Sequence, residues 1–210
     1  MVDRRPFDLA LYVVTDHRQT FEAMRDTVLA AVSGGATMVQ LRNPDLGGRA
    51  LLEQASMLMA ALQASGAPLI VNDRVDVAAA AGADGVHVGQ SDLPAAAARA
   101  ILGPAAIVGL SITDIAQVAD MDVEAIDYIG VGPVFATGTK EDAAPALALV
   151  GTAEIVAASP VQAVAIGGIE ESNAAAVMTT GVRGVSVVSA ISRAHDPGAA
   201  ARALRLAVGR

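Results

Sequence analysis

One lysine stands out among the residues that could do chemistry. Lys140 lies in the stretch GPVFATGTKEDAAP, residues 132–145, and it is the single lysine among fourteen Lys and Arg residues. A compact, flexible ammonium suits other tasks than a planar guanidinium, which favours fixed bidentate contacts. A compositional bias toward arginine that left one surface lysine behind would also explain Lys140. The neighbouring residues must therefore distinguish the two explanations. Together with the hydroxyls of Thr137 and Thr139, the Lys140 ammonium predicts a phosphate contact.

Two aspartates follow neighbouring apolar runs of the chain. Asp73 ends PLIVND, and Asp92 comes shortly after GVHVGQ. Mg2+ takes one or two protein carboxylates together with phosphate oxygens and water, so the pair favours a magnesium site. Each aspartate alone could instead be a surface charge or a helix cap. Capping is a serious alternative for Asp92, which precedes LPAAAARA.

Glycines and a second cation complete the set. The segments AIGGI and VVSAI, residues 165–169 and 187–191, predict a phosphate cradle, because glycine lets a ligand approach the backbone N–H groups closely. A Gly-Gly pair is a weak signal by itself. Arg42 follows another apolar run and adds a positive charge. A metal, one arginine, one lysine and a glycine cradle suit two phosphorylated groups, one of them a diphosphate.

Short β-branched runs alternate with alanine-rich helical patterns and would position these residues. No two runs are joined by a two-residue hairpin turn, which favours parallel strands with helical crossovers. Eight such units predict an α/β fold, a parallel eight-stranded (β/α)8 TIM barrel, as a single domain over residues 1–210. A doubly wound open sheet is the alternative, but no run leads into a G-x-G-x-x-G turn. The runs are residues 11–16, 38–42, 68–73, 85–90, 107–112, 128–135, 161–168 and 184–190.

The polar residues gather where these runs end. In a (β/α)8 barrel the active site lies at the carboxyl ends of the strands. Random placement would scatter polar side chains over both ends, so the pattern favours one site. The residues at these ends are Gln40, Arg42, Asn72, Asp73, Asp92, Ser111, Thr137, Thr139, Lys140, Gly167, Gly168, Val188 and Ser189.

Composition excludes several function classes. The net charge is −8 and 2% of the residues are aromatic, which disfavours nucleic acid as a partner. Without cysteine there is no disulfide or thiolate chemistry. The longest uncharged run, residues 54–72, is broken by SGAP and predicts no membrane span. We read no signal peptide and expect a soluble cytoplasmic protein. The sequence leaves a homo-oligomer open.

The motifs quoted above resemble those of the thiamine-phosphate synthase family. The resembling segments are VQLR, LIVNDRVDVAAAAGADGVHVGQSDLP, YIGVGPVFATGTKEDAAP, AIGGI and GVSVVSAI, which together span nearly the whole chain. The resemblance implies a transferase of thiamine biosynthesis that joins a hydroxymethylpyrimidine diphosphate to a thiazole phosphate, with Mg2+ as cofactor and pyrophosphate as a product. It also implies release of CO2 when the thiazole arrives as its carboxylated tautomer.

The resemblance also implies roles for single residues. Asp73 and Asp92 would bind Mg2+. The pyrimidine diphosphate would contact Gln40, Arg42, Asn72, Ser111 and Lys140, and the catalytic residues among them would be Lys140, Ser111 and Arg42. The thiazole phosphate would contact Thr137, Thr139, Gly168, Val188 and Ser189. The implied mechanism is dissociative: pyrophosphate leaves first and the thiazole nitrogen captures a pyrimidine cation. The lack of a recognisable Ser-His pair in the sequence agrees with that.

The chain departs from the family pattern at two places. Asn43 and Pro44 replace an acidic residue and a lysine, which leaves Lys140 as the sole ammonium, and ITD follows Ser111 where many members have Thr-His. His87 is interpreted as a buried, hydrogen-bonded structural residue, and Tyr128 as core. Two alternative functions are a thiazole tautomerase-like paralogue and a non-catalytic phosphate-binding barrel. The paralogue tends to lose the metal aspartates and the Thr-x-Thr-Lys loop, both of which are present here.

Overall fold

A computed structural model describes residues 4–138 and 144–209, so Thr139 and Lys140 lie outside the described residues. The strands form a closed barrel in which each pairs in parallel with its neighbours in chain order, and β8 closes on β1. They are β1 Leu11–Val14, β2 Met38–Leu41, β3 Leu69–Asn72, β4 Gly85–Val88, β5 Ile107–Ile112, β6 Tyr128–Val131, β7 Gln162–Ile166 and β8 Gly184–Val187.

Helices connect the strands and cover the barrel. They are α1 Phe21–Ser33, α2 Gly48–Leu62, α3 Val75–Ala81, α4 Ala95–Leu102, α5 Ala116–Ala119, α6 Ala148–Ala158, α7 Glu171–Met178, α8 Ser189–Ser192 and α9 Pro197–Ala207. Helix ends follow local sequence signals. Thr20 caps α1 through its side chain, Asp196 caps α9 ahead of Pro197, and Gly82 ends α3 in the left-handed conformation.

The predicted barrel is confirmed and the open-sheet alternative is wrong, because β1 pairs with β8. Seven of the eight predicted runs are longer than the strands, as for β6, which ends at Val131 rather than at residue 135. The excess residues are the loops that carry the predicted site. The ladder stops there because the chain turns toward the next helix, although the residue types still favour a strand.

The core has two layers that alternate along six of the strands. Leu11 and Val13 pack with the helices, whereas Tyr12 belongs to a separate cluster inside the barrel. This inner cluster is largely apolar and consists of Leu9, Tyr12, Met38, Ile70, Ile107, Tyr128 and Val164, with Phe7 packed against it. The period of two follows from the pleat of a strand.

At the amino end of the barrel, the residues just before β2, β4 and β6 cap the preceding strands β1, β3 and β5. Thr37 accepts from the N–H of Leu11 at 3.1 Å. Asp84 and Asp127 accept from the N–H groups of Leu69 and Val108, each at 2.7 Å. These side chains satisfy backbone donors that lie at the edge of the ladder. Over the part of the chain that the structure describes, no helix is long and apolar enough to cross a membrane.

Candidate active site at the carboxyl end of the barrel

Asp73 lies at the turn that ends β3. Asn72 is paired with His87 on β4, and the next residue, Asp73, donates its N–H to the His87 carbonyl at 2.8 Å. Its φ of 59° is in the left-handed region, which aspartate and asparagine tolerate better than other non-glycine residues. The turn leaves Asp73 exposed at the carboxyl end of the barrel, as the sequence predicts.

Asp92 closes the turn that follows β4. Its Oδ2 accepts from the N–H of Gly89 at 2.7 Å, and its own N–H donates back to the Gly89 carbonyl at 3.3 Å. Helix α4 begins three residues later, and its N-cap is Pro94. Capping of α4 therefore does not account for Asp92, because the carboxylate is held at the end of β4 instead.

The two aspartates fit the coordination chemistry of Mg2+. They lie on adjacent loops, after β3 and β4, and supply carboxylate oxygens, the donors that this ion prefers. Among residues 4–138 and 144–209, no group of three or more His, Cys, Asp and Glu side chains could hold a metal ion. A metal bound by this pair would take its other ligands from water and from a phosphorylated substrate.

Gln40 lies in β2, one residue before the strand ends, and Arg42 comes directly after the strand. Gln40 is 5% exposed, and its Nε2 donates to Tyr12 Oη at 2.7 Å. The Arg42 backbone is held on both sides by Thr15, whose Oγ1 accepts from the Arg42 N–H at 2.9 Å and donates to its carbonyl at 3.1 Å. Asn43 accepts from the N–H of Asp45 at 3.3 Å. The loop that departs from the family pattern is thus a turn.

Ser111 is in contact with His87. His87 Nε2 lies 2.9 Å from Ser111 Oγ, and His87 Nδ1 lies 3.0 Å from the hydroxyl of Tyr128. The interpretation of His87 as buried and hydrogen-bonded is confirmed, since it is 8% exposed. The expectation that no Ser-His pair exists is wrong. The pair is 24 residues apart in sequence, and the barrel brings adjacent strands β4 and β5 together.

Sequence reasoning missed Tyr12 and Tyr128, the only tyrosines of the chain. Tyr128 is a core residue, as predicted, but its hydroxyl also lies 3.0 Å from that of Tyr12 inside the barrel. The signal that could have found them is glycine within strands. A Cβ at Gly109 would overlap both Tyr128 and His87, and a Cβ at Gly130 would lie 3.0 Å from His87 Cε1. These glycines make room for the polar side chains.

The predicted cradle after β7 has left-handed backbone at two successive residues. The φ angles of Gly167 and Gly168 are 103° and 64°. The loop after β6 packs directly against them, and a Cβ at Gly168 would lie 2.7 Å from that of Phe135. Asn173 on α7 donates to the Gly168 carbonyl at 2.9 Å. Glycine is therefore required here by close approach as well as by backbone conformation.

Val188 and Ser189 lie where β8 passes into the short helix α8. This helix is attached to the loop after β1 through Asp16, whose Oδ2 accepts from Ser192 Oγ at 2.9 Å. Arg18 donates to both carboxylate oxygens of Asp16 at 2.7 Å, and these bonds lower the pKa of Asp16 to about 2. The sequence does not predict Asp16 as a site residue, because Ser192, through which it contacts α8, is 176 residues away.

Thr137 is the one residue of the Thr-x-Thr-Lys motif whose side chain the structure describes, and it is half-buried. The predictions for Thr139 and Lys140 fall outside the described residues. Gln40, His87 and Ser111 meet in one hydrogen-bonded group, whereas Gly168, Val188 and Ser189 lie on the β7 and β8 side of the barrel.

A groove of about 740 Å3 lies at the opposite, amino end of the barrel. It is lined in part by Phe7, Val161 and the charged residues Arg4 and Asp127. Arg4 donates to Asp127 Oδ1 at 2.5 Å and to the carbonyl of Ile126 at 3.0 Å. Arg4 and Asp127 are thus paired with one another, and the groove does not include the polar residues at the carboxyl ends of the strands.

Comparisons with known proteins identify relatives over nearly the whole chain. A family model described as thiamine monophosphate synthase matches residues 11–191. A thiamine-phosphate synthase of Xanthobacter autotrophicus is 54% identical over 205 residues, which cover 97% of each chain. One of Azorhizobium caulinodans is 51% identical over 201 residues, which cover 95% of each chain.

Solved structures show the same architecture. A thiamine phosphate pyrophosphorylase from Pyrococcus furiosus superposes with a TM-score of 0.85 at 36% identity, covering 95% of both chains. A 3-hexulose-6-phosphate synthase superposes with a TM-score of 0.69 at 21% identity, covering 94% of this chain and 99% of the other. The second likeness concerns the fold alone.

Proposed function

The chain belongs to the thiamine monophosphate synthase family and catalyses the formation of thiamine phosphate, and we propose that it does so by joining a hydroxymethylpyrimidine diphosphate to a thiazole phosphate with release of pyrophosphate. The observation that carries this proposal is similarity to named synthases over nearly the whole chain. The polar residues at the carboxyl end of the barrel support it, because they include donors and carboxylates suited to two phosphorylated substrates.

The pyrimidine diphosphate binds on the side of β2 to β5 in this proposal. Gln40 and Ser111 lie at the ends of one hydrogen-bonded group and fix the heterocycle between them. Asn72 at the end of β3 and Arg42 after β2 contact the diphosphate. The half-buried Arg42 has its backbone fixed by Thr15, so its guanidinium starts from a defined position.

Asp73 and Asp92 would hold Mg2+ beside that diphosphate. When bound, the ion would neutralise negative charge on the departing pyrophosphate. The chain supports this role before any ligand arrives, because the left-handed turn places Asp73 at the end of β3 and the Gly89 N–H holds the carboxylate of Asp92. Lys140, outside the described residues, would add a mobile ammonium for the same charge.

The thiazole phosphate binds on the side of β7 and β8 in this proposal. Gly168, Val188 and Ser189 offer backbone N–H groups, and Thr137 and Thr139 offer hydroxyls from the loop after β6. Asn173 donates a hydrogen bond to the Gly168 carbonyl, so the oxygen of that peptide points toward α7. The two substrates thus approach each other across the barrel from opposite halves of its carboxyl end.

The reaction follows from this placement. The C–O bond between the pyrimidine methylene and the diphosphate breaks, and pyrophosphate leaves with the bonding electrons. The thiazole nitrogen then forms the C–N bond to the methylene cation. When the thiazole is the carboxylated tautomer, loss of CO2 restores the aromatic ring. Preorganised positive charge around the leaving group stabilises the transition state.

The test is pyrophosphate release by the purified protein given both substrates and Mg2+, with thiamine phosphate identified by mass. We expect release only when both substrates are present, and its loss in chelator. Aromatisation of the carboxylated thiazole without coupling would instead indicate the tautomerase-like function. Binding of both phosphates without turnover would indicate the non-catalytic barrel.

A further inference from the structure

A chain of hydrogen bonds crosses the interior of the barrel and connects Gln40 with Ser111. It runs from Gln40 Nε2 to Tyr12 Oη at 2.7 Å and on to Tyr128 Oη at 3.0 Å. It continues to His87 Nδ1 at 3.0 Å and from His87 Nε2 to Ser111 Oγ at 2.9 Å. Five strands contribute one residue each, and both end residues are proposed substrate contacts.

One direction of the first two links gives every proton in them an acceptor. An amide N–H donates and cannot accept, so Tyr12 Oη accepts from Gln40. Either phenol could donate in the contact between Tyr12 and Tyr128, and we infer that Tyr12 does, because its proton has no other acceptor within hydrogen-bond distance among the described residues. Tyr128 has then accepted one bond, and its own single proton points to His87 Nδ1.

The last links follow from the first. Because Nδ1 accepts a proton from Tyr128, it must hold a lone pair, and the imidazole proton is then on Nε2. Nε2 donates to Ser111 Oγ. The hydroxyl of Ser111 has thus accepted a bond on its inner side, and its own proton is free to point toward a ligand at the carboxyl end of the barrel.

Burial keeps this chain of bonds intact. Tyr12 is 1% exposed and Tyr128 is fully buried, and buried hydroxyls need partners. Burial also raises the pKa of both phenols, so each keeps the one proton on which the direction depends. Gly109 and Gly130 leave the space that the imidazole and the Tyr128 ring occupy.

We propose that Tyr12 and Tyr128 are positioning residues that hold His87 in the Nε2–H tautomer, so that Ser111 presents its hydroxyl proton to a hydrogen-bond acceptor of the bound pyrimidine. The ring nitrogens of a pyrimidine are such acceptors. The substrate side of this inference rests on the proposed function, whereas the tautomer is a property of the protein alone.

The same geometry distinguishes this Ser-His contact from that of a nucleophilic enzyme. An activated serine donates its proton to a histidine whose other nitrogen donates to a carboxylate. Here the other nitrogen accepts from a tyrosine, and the histidine donates to the serine. Ser111 is therefore a hydrogen-bond donor to substrate and not a nucleophile, in agreement with departure of pyrophosphate without a covalent enzyme intermediate.

The direct test is NMR of protein labelled with 15N at histidine. The chain has three histidines, so three imidazoles are observed, and His87 is identified by its loss in His87→Asn. We expect a protonated Nε2 and an unprotonated Nδ1 in the unliganded protein. Tyr128→Phe should shift the two nitrogens toward averaged values, because Nδ1 then loses the proton that Tyr128 donates to it. Tyr12→Phe should shift them less, since the Tyr128 contact remains.

Kinetics separates positioning from a general loss of structure. Tyr128→Phe should raise the KM of the pyrimidine diphosphate about fivefold, the size expected for one neutral hydrogen bond, while the KM of the thiazole phosphate stays unchanged. The matched control is Ser186→Ala. Ser186 is paired with Tyr12, is 2% exposed, and has no hydrogen-bond partner for its Oγ among the described residues. Its variant should change neither KM nor tautomer.

Two results would overturn the inference. A proton on Nδ1 in the unaltered protein would reverse the direction of the chain of bonds. An unchanged tautomer in folded Tyr128→Phe, or in Tyr12→Phe if the first variant does not fold, would show that the tyrosines do not set it. Neither result depends on turnover, so a failure of the proposed function would appear separately, as absence of thiamine phosphate from protein with the expected tautomer.

Discussion

Aspartate occurs at both ends of the barrel, in surroundings that differ. At the amino end, the side chain of Asp127 is 4% exposed and both of its oxygens accept hydrogen bonds, one from Arg4 and the other from Arg99 and the Val108 N–H. At the carboxyl end, Asp92 is half-buried and its Oδ2 is held by Gly89, while Asp73 is exposed on a left-handed turn.

The difference separates stability from function within one fold. Side chains at the amino end close the ladder and neutralise one another, so their interactions contribute to the stability of the fold. Side chains at the carboxyl end are oriented by a few local bonds and present charge toward the barrel opening. That division is general for (β/α)8 enzymes, in which residues at the bottom face stabilise and those at the top react.

The largest expected effect tests the carboxyl end. Asp73→Asn and Asp92→Asn should each lower kcat by about 100-fold or more, because removing one charge would weaken the proposed Mg2+ site next to the leaving group. Thermal unfolding should shift little, since neither side chain lies in the core. The measurement is the initial rate as a function of Mg2+ concentration. The control is Asp26→Asn, which changes an exposed side chain of α1. Normal rates in chelator for either variant would exclude the metal assignment.

Asp127→Ala tests the amino end, where we expect a loss of stability rather than a loss of activity. It would leave Arg99, whose side chain is 14% exposed, without its carboxylate, and breaking such a buried pair costs about 3–5 kcal/mol of unfolding free energy. The kcat and KM of the remaining folded protein should not change. Chemical denaturation and active-site-normalised kinetics measure the two quantities.

Asp26→Ala is the matched control for that variant, because its partner Arg25 is 40% exposed and such pairs contribute about 0–1 kcal/mol. A large loss of kcat in Asp127→Ala, with stability unchanged, would contradict the division between the two ends.

The sequence predicts the barrel and the residues at its carboxyl end because both are local signals. Apolar runs of period two, glycines at helix ends and polar residues just after a run can each be identified within ten residues of chain. Asp73, Asn72 and Ser111 are placed at strand ends as predicted.

The chain of bonds through Tyr12, Tyr128 and His87 could not be predicted in the same way. Its members are up to 116 residues apart, and each by itself is a plausible core residue. Only strand order and register bring them together, and these become known once the barrel closes. The Asp16 contacts with Ser192 were missed for the same reason, since 176 residues separate the two.

A smaller effect is expected at the glycine cradle. Gly168→Ala should raise the KM of the thiazole phosphate about tenfold, because a Cβ would lie 2.7 Å from Phe135 and a φ of 64° is strained for alanine. Stability should fall by about 1–3 kcal/mol. Gly66→Ala is a control for φ alone, since its φ is 68° and nothing lies within 4 Å of its Cβ. If only the KM of the pyrimidine diphosphate changed, the proposed placement of the two substrates in the two halves of the carboxyl end would be wrong.

The smallest expected effect concerns Asp16, a paired carboxylate at the carboxyl end. Arg18 lowers its pKa from 3.8 to about 2, so the contribution of the pair to stability is fully present above about pH 4 and is lost as the pH falls through about 2. Because Arg18 is 41% exposed, solvent screens the pair and we expect about 1 kcal/mol. Asp16→Asn should therefore unfold at lower denaturant than the unaltered protein at pH 6, and the gap should narrow toward pH 2. A gap independent of pH would mean that the hydrogen bond from Ser192, rather than the charge, attaches α8 to the loop after β1. In that case the carboxyl end would contain a purely structural aspartate, and the division between the two ends would hold for its substrate-facing residues alone.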